Sequence, residues 1–410
     1  MEQGLLHSFN SSQTQMVRGQ ELFQSKKIAA VIPTYKPQVL TLSLIDYILS
    51  NYQGIEVVII DDSTPKDSSA YLICQQIRDK AKNEPRLTYL RTPENKLKAG
   101  ALNFGLSYLW SQKAKPQVVF TFDDDIAITP TTLYEMVAEL YSQKKMGAVC
   151  SQTHVINKND NLLTRLQALE YHNFTMTKIA DNGFLLGPLV MQGMLTAFRM
   201  QAIQQVKGFT SGHLIEDYEI TVRMKKKGWH VAIAKNAEAW ADAPLDFPTL
   251  WKQRVRWTYG GLEVLKEFGK DFRVVFQDVL GHSMFLILLL LVALSFVFTQ
   301  DNQPASWLPY AALGIAGIQF IFSTIFNIII LKTYKESDWK DWVIKLSIIP
   351  ELLYCNALSL VLLGSYLYFA YNHTVGSIAK RFTFLTGFYN LGLKGFKKIG
   401  YSFVWASKGQ

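Results

Sequence analysis

Two long apolar runs in the second half of the chain limit what it can fold into. The run at 279–298, VLGHSMFLILLLLVALSFVF, is about as long as a helix that spans a bilayer core. The run at 307–331 repeats this pattern with an aromatic residue at its start. A third apolar run, at 350–371, begins with Glu351. We therefore expect a soluble first half followed by three transmembrane helices at about these positions.

The lysines around these runs predict the orientation of the chain. The connection 299–306 contains no Lys or Arg, whereas 332–341 contains three lysines, so the first should lie outside and the second inside. The polar segment 1–26 lacks the apolar core of a signal peptide, which predicts a cytosolic first half. We expect a multi-pass protein of the cell (plasma) membrane whose first half is cytoplasmic.

The C-terminal tail, 372–410, is basic, although three spans would place it outside, against the positive-inside tendency. Phe384, Phe388, Leu391 and Phe396 are interspersed with lysines, which is also typical of an amphipathic helix at a membrane surface. Both interpretations stay open at the level of sequence.

Composition does not identify the ligand of the protein, but it indicates the cellular compartment. The net charge of +9 is compatible with nucleic acid, anionic lipid or a phosphorylated substrate, and it does not choose among them. Cys74, Cys150 and Cys355 are far apart and lack close Cys or His partners. This pattern indicates neither a disulfide framework nor a structural zinc site, and it favours a reducing compartment.

Short β-branched or apolar runs alternate with helical stretches in the first half of the chain. This alternation predicts a parallel, doubly wound sheet, in which ligands bind beyond the carboxyl ends of the strands. The predicted strands are 26–33, 55–60, 87–90 and 118–122, and helical stretches include 39–51 and 68–82.

Acidic residues follow two of these strands directly. Asp61 and Asp62 follow the second strand, and Asp123, Asp124 and Asp125 follow the fourth. Adjacent carboxylates repel one another, and a Mg²⁺ or Mn²⁺ ion that also binds diphosphate oxygens would compensate for this. A solvated turn or a helix cap is the alternative for both groups.

Two further groups are candidates for chemistry. Lys98 lies in a segment of small residues where its charge can reach a phosphate, although an ordinary exposed lysine is equally compatible with the pattern. Glu216 and Asp217 lie between a glycine-containing loop and a helical stretch. A carboxylate there can deprotonate an acceptor hydroxyl or cap the helix.

The segment QRVRW at 253–257 combines two guanidinium groups with an indole on one helix. Arginine suits a diphosphate, and tryptophan suits the apolar face of a sugar ring. A membrane-surface anchor before the first span is the alternative interpretation, and the two are compatible.

Taken in order, these groups resemble the processive family 2 glycosyltransferases, whose motifs are DD, DxD, (T)ED and QxxRW. The resemblance covers about 27–265 and the helices that follow, and the family includes hyaluronan, chitin, cellulose and poly-N-acetylglucosamine synthases. The stretch QGMLTAFR at 192–199, and the sequence around QRVRW, are most similar to bacterial poly-β-1,6-N-acetylglucosamine synthases. Ile215 departs from the family pattern, which has Thr before Glu-Asp.

The resemblance implies an α/β architecture with a GT-A-like nucleotide-sugar-binding domain and a mostly parallel sheet. The implied organisation is a cytosolic domain at 27–240, interfacial helices at 241–278, a transmembrane region at 279–371 and the tail.

The resemblance also assigns a role to each matching residue. Tyr35, Asp61, Asp62, Lys98, Asp123, Gln253 and Arg256 are assigned to the nucleotide-sugar. Asp125, with Asp123, is assigned to the metal. Asp217 is assigned as the general base, with Glu216 beside it, and Trp257 and Gly193 are assigned to the acceptor.

The expected activity is inverting, metal-dependent transfer from a UDP-sugar to a growing β-linked polysaccharide. The implied donor is UDP-N-acetylglucosamine, the ion is Mn²⁺ or Mg²⁺, and the partners are the bilayer and a homo-oligomer or an accessory export subunit, without nucleic acid. Transfer of a single sugar to a lipid is the alternative. A nonenzymatic membrane scaffold that binds nucleotide is disfavoured, because unpaired carboxylates are costly when they perform no chemistry.

Overall fold

The structure, a computed structural model, describes residues 2–298, 308–347 and 349–401. In these ranges the strands are β1 (Ile28–Thr34), β2 (Ile55–Asp61), β3 (Leu87–Arg91), β4 (Val118–Phe122), β5 (Ile126–Ile128), β6 (Met146–Val155), β7 (Leu195–Arg199) and β8 (His230–Ala241). The helices of the first part are α1 (Glu2–Ser25), α2 (Val39–Asn51), α3 (Tyr71–Asn83), α4 (Leu97–Ser111), α5 (Thr132–Leu140), α6 (Leu162–Asp181), α7 (Met200–Gln205) and α8 (Glu216–Lys226). The later helices are α9 (Phe247–Phe268), α10 (Phe272–Phe298), α11 (Leu308–Thr333), α12 (Trp339–Ser347), α13 (Ile349–Arg381) and α14 (Thr386–Lys398), with a 3-10 turn at Thr383–Leu385.

The strands form one sheet in the order β3-β2-β1-β4-β7-β6-β8-β5. Strands β1 to β4 are parallel, β7 is antiparallel to both of its neighbours, β8 is parallel to β6, and β5 is antiparallel to β8. The expectation of a mostly parallel α/β sheet is confirmed. The four predicted strands became β1 to β4, and their carboxyl ends meet at one edge.

Both faces of the sheet are covered, as its apolar strands require. On one face, Ala30 and Ile32 of β1 belong to a core with α2 and α5. On the other face, Val31 packs on α4, where Gly105 allows a close approach, since a Cβ there would lie 2.6 Å from Val31 Cγ1. This packing places the N-terminus of α4 near the edge of the sheet where the carboxyl ends of β1 to β4 meet. We call this edge the ligand edge.

The polar N-terminal segment forms helix α1, for which the sequence predicted no element. This helix packs on α5, where the Phe23 ring lies edge-on to Tyr134 at 5.0 Å between centroids. Gly19 makes the contact possible, because a Cβ there would lie 2.2 Å from the Tyr134 carbonyl oxygen. We call the sheet together with α1–α8 the sheet domain.

Apolar helices follow the sheet domain. Helix α10 covers the predicted span 279–298, and α11 covers 308–331 of the second predicted span. Residues 299–307 lie outside the described residues. Within the described part of the chain, α13 is the helix whose length and hydropathy suffice to cross a bilayer. It starts where the third span was predicted and continues to Arg381.

The connection between α11 and α12 docks on the sheet domain through buried ion pairs. The Asp341 carboxylate has no exposed area and lies 2.7 Å from Lys158 Nζ and 2.8 Å from Arg165 Nη1. Beside them, Trp240 Nε1 donates to Glu336 Oε1 at 2.8 Å. The C-terminal end of α11 is therefore fixed against the sheet domain.

Candidate active site at the carboxyl ends of the strands

The Lys98 ammonium joins three separate parts of the chain at the ligand edge of the sheet. Its Nζ lies 2.6 Å from Asp123 Oδ1 and 3.0 Å from Glu216 Oε1, and it donates to the Gly193 carbonyl oxygen at 3.1 Å. The interpretation of Lys98 as an ordinary exposed lysine is therefore wrong. The structure brings the second and third acidic groups of the sequence into one cluster.

Burial and the neighbouring charges shift the pKa values of this cluster in opposite directions. Burial lowers the pKa of Lys98, but the carboxylates of Asp123 and Glu216 outweigh burial and raise it, so the ammonium stays charged. Burial raises the pKa of Asp123 to about 6, and Asp125 adds to this, although Lys98 opposes both. For Glu216 the balance is reversed, since Lys98 and then Arg256 overcome burial and lower its pKa.

Asp217 is the second residue of α8 and lies beside this cluster. Its Oδ2 accepts from the Gly193 N–H at 3.0 Å, and its Oδ1 accepts from the Tyr218 N–H at 2.8 Å. The second bond is local to the helix end, as the capping interpretation predicted, whereas the first ties the carboxylate to the cleft. Burial and the neighbouring Glu216 raise the pKa of Asp217, which Lys98 partly offsets.

The three adjacent aspartates divide between two tasks. Asp124 turns back towards β1, where its Oδ2 accepts from Thr34 Oγ1 at 2.5 Å and from Thr41 Oγ1 at 3.4 Å. This anchor gives the DxD alternation, with Asp123 and Asp125 on either side of a residue that faces the protein. The sequence interpretation had no role for the middle aspartate.

The donor set at this turn fits a hard divalent ion that is shared with a diphosphate. Asp123 and Asp125 supply carboxylate oxygens, and one oxygen of Asp123 is engaged by Lys98. Within the described ranges, no cluster of three or more His, Cys, Asp or Glu side chains could hold an ion unaided. Mg²⁺ and Mn²⁺ sites with one or two carboxylates complete their shells with phosphate and water oxygens.

The first pair of aspartates is engaged by the protein itself. Asp61 is fully buried, accepts from the Tyr89 hydroxyl at 2.7 Å and forms an ion pair with Arg91. Asp62 Oδ1 accepts from the Lys96 N–H at 2.9 Å, and burial raises the pKa of Asp62. The turn interpretation describes these contacts well, and the assignment of both residues to uridine remains a prediction.

The backbone is strained around the predicted nucleotide side of the site. Lys36, Ser63 and Leu97 have φ values of 52°, 58° and 58°, and each adjoins a residue that the sequence assigned to the nucleotide-sugar. Such left-handed residues cluster at ligand sites, where the surrounding fold supports the strain. The half-buried Tyr35 lies here, with the Lys36 ammonium 5.5 Å from the centre of its ring.

Helix α9 presents its two arginines differently. Arg254 is 4% exposed, is paired with Glu170, and lies 4.1 Å from the centre of the Trp257 ring. Arg256 is exposed, and its charge is felt by Glu216. Arg254 is therefore a buried arginine that contacts the tryptophan, whereas Arg256 is an exposed arginine whose charge acts on Glu216.

Trp257 of α9 is half-buried and packs against α6. Its ring centroid lies 6.3 Å from that of Tyr171, and it contacts the small core that contains Val155. Gln253 Oε1 accepts from Arg254 Nη1 at 3.0 Å, so this amide is engaged within the same group. The acceptor role of Trp257 and the diphosphate role of Gln253 remain predictions.

Lys178 was not recognised from the sequence. It lies near the end of α6, and its charge interacts with Asp217 and with Cys150. Burial lowers the pKa of Lys178, while Cys150 and Asp217 raise it slightly. A lysine near the end of a helix ordinarily indicates a solvated residue or a partner for the helix dipole, so the sequence held no signal for this placement.

The comparison with protein families decides the class of the protein. Residues 118–375, more than half of the chain, match the family described as Glycosyl transferase family group 2. The chain belongs to this family. The matched range includes Asp123, Asp125, Gly193, Asp217 and Trp257, so the acidic cluster and the QxxRW helix lie in the part that carries the family pattern.

Two bacterial proteins are similar to this glycosyltransferase. The poly-beta-1,6-N-acetyl-D-glucosamine synthase of Staphylococcus aureus (strain COL) is 29% identical over 215 residues, which are 52% of this chain and 49% of that protein. The probable glycosyltransferase YdaM of Bacillus subtilis (strain 168) is 24% identical over 250 residues, which are 60% and 58% of the two chains. The glycosyltransferase thus spans about half the length of the curated relatives it matches.

A solved structure shares the fold. The mannosyltransferase PcManGT from Pyrobaculum calidifontis, in complex with GDP-Man and Mn²⁺, superposes with a TM-score of 0.55 at 18% identity. The match covers 82% of this chain and 87% of that chain. The glycosyltransferase therefore has the GT-A-like α/β fold that the motif set implied.

Proposed function

We propose that this glycosyltransferase moves N-acetylglucosamine from UDP-N-acetylglucosamine to a growing β-linked polysaccharide, with inversion at the anomeric carbon. The observation that carries the proposal is the Lys98 ammonium, which holds Asp123, Glu216 and the Gly193 carbonyl together beside Asp217. This contact joins the predicted donor side of the site to the predicted base. The named activity of the Staphylococcus aureus relative supports the choice of sugar and of a polymeric product.

The proposed reaction is a single displacement. The acceptor hydroxyl oxygen attacks the anomeric carbon while the bond from that carbon to the diphosphate breaks, and the bonding electron pair leaves with UDP. The hydroxyl proton passes to the Asp217 carboxylate, which the Gly193 N–H holds in place. Because attack and departure occur on opposite faces, an α-linked donor gives a β-glycoside.

Charge stabilisation is assigned to groups around the diphosphate. The exposed Arg256 is the candidate guanidinium for the departing UDP, since its charge already reaches this cluster. A divalent ion held by Asp125 and the outer oxygen of Asp123 would neutralise the diphosphate as it leaves. Asp61 and Asp62 are assigned to the nucleoside side, together with Tyr35.

The acceptor is assigned to the side of Trp257 and Gly193. Arg254 covers one face of the Trp257 ring and fixes its position, which suits a platform for a sugar ring. A retained polymer gains from such a platform between additions, so we assign a processive mode. A homo-oligomer or an accessory subunit is the proposed partner for export.

The membrane is the proposed site of action. Helices α10 and α11 are the candidate anchors, and the ion pairs of Asp341 hold the end of α11 against the sheet domain. This contact supports placing 332–341 on the cytoplasmic face with the active site, where UDP-sugars are available.

The test is incubation of the purified protein in lipid with a panel of UDP-sugars and either Mn²⁺ or Mg²⁺. We expect UDP release and long product from UDP-N-acetylglucosamine, and loss of transfer with retained UDP binding in Asp217→Asn. A lipid that carries one sugar would move the protein to the nonprocessive class. Near wild-type transfer by Asp217→Asn would refute the assignment of the base.

A further inference from the structure

Helix α9 lies flat on the sheet domain along its whole length. Near its start, Leu250 packs with Leu166 of α6, and near its end, Val264 and Phe268 pack with Tyr218 of α8. Both ends of α9 therefore pack against the sheet domain.

Helix α13 runs beside α9 in the same direction. The contacts follow one another in chain order along both helices. They are Arg254 Nη2 with the Tyr354 hydroxyl at 3.5 Å, Thr258 Oγ1 with Ser365 Oγ at 2.6 Å, Tyr259 hydroxyl with Asn372 Nδ2 at 3.0 Å, and Lys266 Nζ with His373 Nδ1 at 2.8 Å.

The length of this contact decides how α13 can be oriented. At about 1.5 Å per residue, the stretch from Tyr354 to His373 of α13 is roughly 28 Å long, whereas its partners on α9, from Arg254 to Lys266, span roughly 18 Å. Over 365–373, α13 lies beside 258–266 of α9, a helix whose two ends rest on the sheet domain. A helix held in this way runs along the domain surface instead of leading away from it.

Helix α10 contacts α13 through two of its side chains. His282 forms a hydrogen bond with the Tyr366 hydroxyl, and the Phe285 ring stacks on Tyr366 at 6.1 Å between centroids. Beyond this crossing, Leu290 is 57% exposed. Helix α10 therefore meets α13 near Tyr366, and its apolar run continues beyond this contact.

The tail folds back on α13. The Tyr371 hydroxyl donates to the Phe388 carbonyl at 3.1 Å, so α14 begins beside the second half of α13. At the other end of α14, Trp251 Nε1 donates to the Ile399 carbonyl at 2.9 Å, and Tyr401 is buried. The end of the described chain thus returns to the first turns of α9, next to the sheet domain.

The outer face of this hairpin is apolar and its end is basic. The inner stripe of α13 is buried, including Val361 and Tyr368, which pack with α9. Outward-facing apolar side chains on the two helices and the turn are 58–80% exposed: Leu353, Leu360, Leu367, Phe384, Phe388 and Leu391. Lys394, Lys397 and Lys398 are exposed near the end of α14. Apolar groups beside lysines match the acyl boundary and the anionic headgroups of a membrane surface.

We infer that α13 and α14 form an amphipathic hairpin that lies in the bilayer interface, with its apolar face in lipid and its lysines at anionic headgroups of the cytoplasmic leaflet. Helices α10 and α11 are then the two spans, and the basic tail stays on the side of the sheet domain. The inference rests on the membrane location proposed above. It removes the conflict between a third span and the positive-inside tendency.

Depth measurements test the orientation of α13. Single nitroxide labels are placed at Leu353, Leu360 and Leu367 after replacement of the native cysteines, in full-length protein reconstituted in lipid, and their accessibility to oxygen and to a polar nickel complex is compared. We expect one shallow depth for all three labels. A span would instead separate neighbouring labels by about 10 Å of helix and give a stepwise change in depth, which would overturn the inference.

Labels at Ile321 and Ile329 of α11 are the matched control. Both residues are more than half exposed, and we expect their depths to differ. If these two labels are also equally shallow, or are accessible only to water, the membrane anchor of the proposed function fails. A step at α11 with none at α13 supports the inference.

Side-specific labelling gives an independent test. Gln303→Cys, Lys340→Cys and Lys394→Cys are exposed in turn to an impermeant thiol reagent on intact cells. We expect labelling at 303, and protection at both 340 and 394 until the membrane is opened. Labelling at 394 together with 303 would place the tail outside and overturn the hairpin. Labelling at 340 on intact cells would instead overturn the proposed orientation.

Discussion

Asp217 is positioned by a backbone N–H, and the residue that supplies this N–H has little room for a side chain. A Cβ on Gly193 would lie 3.0 Å from Asp217 Oδ2 and 3.1 Å from Asp217 Cβ. We expect Gly193→Ala to displace the carboxylate and lower kcat by roughly 10- to 100-fold, the scale of a misplaced catalytic group. Steady-state kinetics with UDP-N-acetylglucosamine measure this, and UDP affinity should hardly change.

Gly395 provides the matched control, because a Cβ there meets nothing within 4 Å. Gly395→Ala should keep wild-type kinetics. If Gly193→Ala also keeps them, the bond from Gly193 to Asp217 does not contribute to transfer.

The charge of Lys178 should influence the pH at which the rate of transfer falls on the acidic side of the kcat/KM profile. The proposed base, Asp217, must be ionised to accept a proton, and burial and Glu216 raise its pKa. As the pH decreases, transfer should therefore fall at a higher pH than for an ordinary aspartate. Lys98 from α4 and Lys178 from α6 oppose this shift. We expect Lys178→Met to move the acidic limb of the kcat/KM profile to higher pH, while activity well above that limb stays near wild type.

The charge-conserving variant tests the electrostatic reason. Lys178→Arg retains the positive charge, and its profile should follow that of wild type. A loss of activity in Lys178→Met that is equal at every pH would indicate a structural role instead.

At the scale of elements, the connection between α11 and α12 is held by buried charges. Lys158 and Arg165 are each 5% exposed and share the Asp341 carboxylate. Removal of one partner from such a group leaves buried charges uncompensated, which costs about 3–5 kcal/mol. We expect Asp341→Ala to lower the free energy of unfolding by that amount, measured by thermal unfolding in detergent.

An exposed ion pair is the matched comparison. Asp79 pairs with Lys82 three residues later, with both side chains more than 60% exposed. Asp79→Ala should leave the unfolding midpoint unchanged, since exposed pairs contribute little. An equally small effect of Asp341→Ala would show that the connection is not fixed by its ion pairs.

At the scale of the whole molecule, the candidate site joins distant parts of the chain. Lys98, Asp123, Gly193, Glu216 and Asp217 meet there. A ligand that binds only the folded protein therefore stabilises the elements that carry these residues together. UDP at 100 times its Kd should raise the free energy of unfolding by about 2.7 kcal/mol. We expect Mn²⁺ to increase the stabilisation by UDP in wild type but not in Asp125→Asn, as followed by the unfolding midpoint.

Equal stabilisation by UDP with and without Mn²⁺ in wild type would argue against the metal assignment. The readout does not depend on turnover, so it separates metal binding from catalysis.

Much of the sheet domain is predictable because its signals are local. The apolar runs that became β1, β2, β3 and β4 are continuous, and the acidic residues directly follow β2 and β4. Strands β5 to β8 were not predicted, because they complete a mixed half of the sheet in which pairing partners lie far apart in sequence. Helix α1 was also not predicted, since its contact with α5 depends on Gly19 and on a distant helix.

The amino-acid sequence by itself determined the order of the acidic and QxxRW motifs, the apolar helices after them and, from these, the glycosyltransferase family. Periodicity and motif spacing are properties of neighbouring residues, so they need no fold to be recognised. The tertiary structure alone decided that Lys98 bridges Asp123 and Glu216, that Arg254 is buried while Arg256 is exposed, and that α13 lies along α9. These facts depend on packing between segments far apart in the chain, where burial and charge act through space.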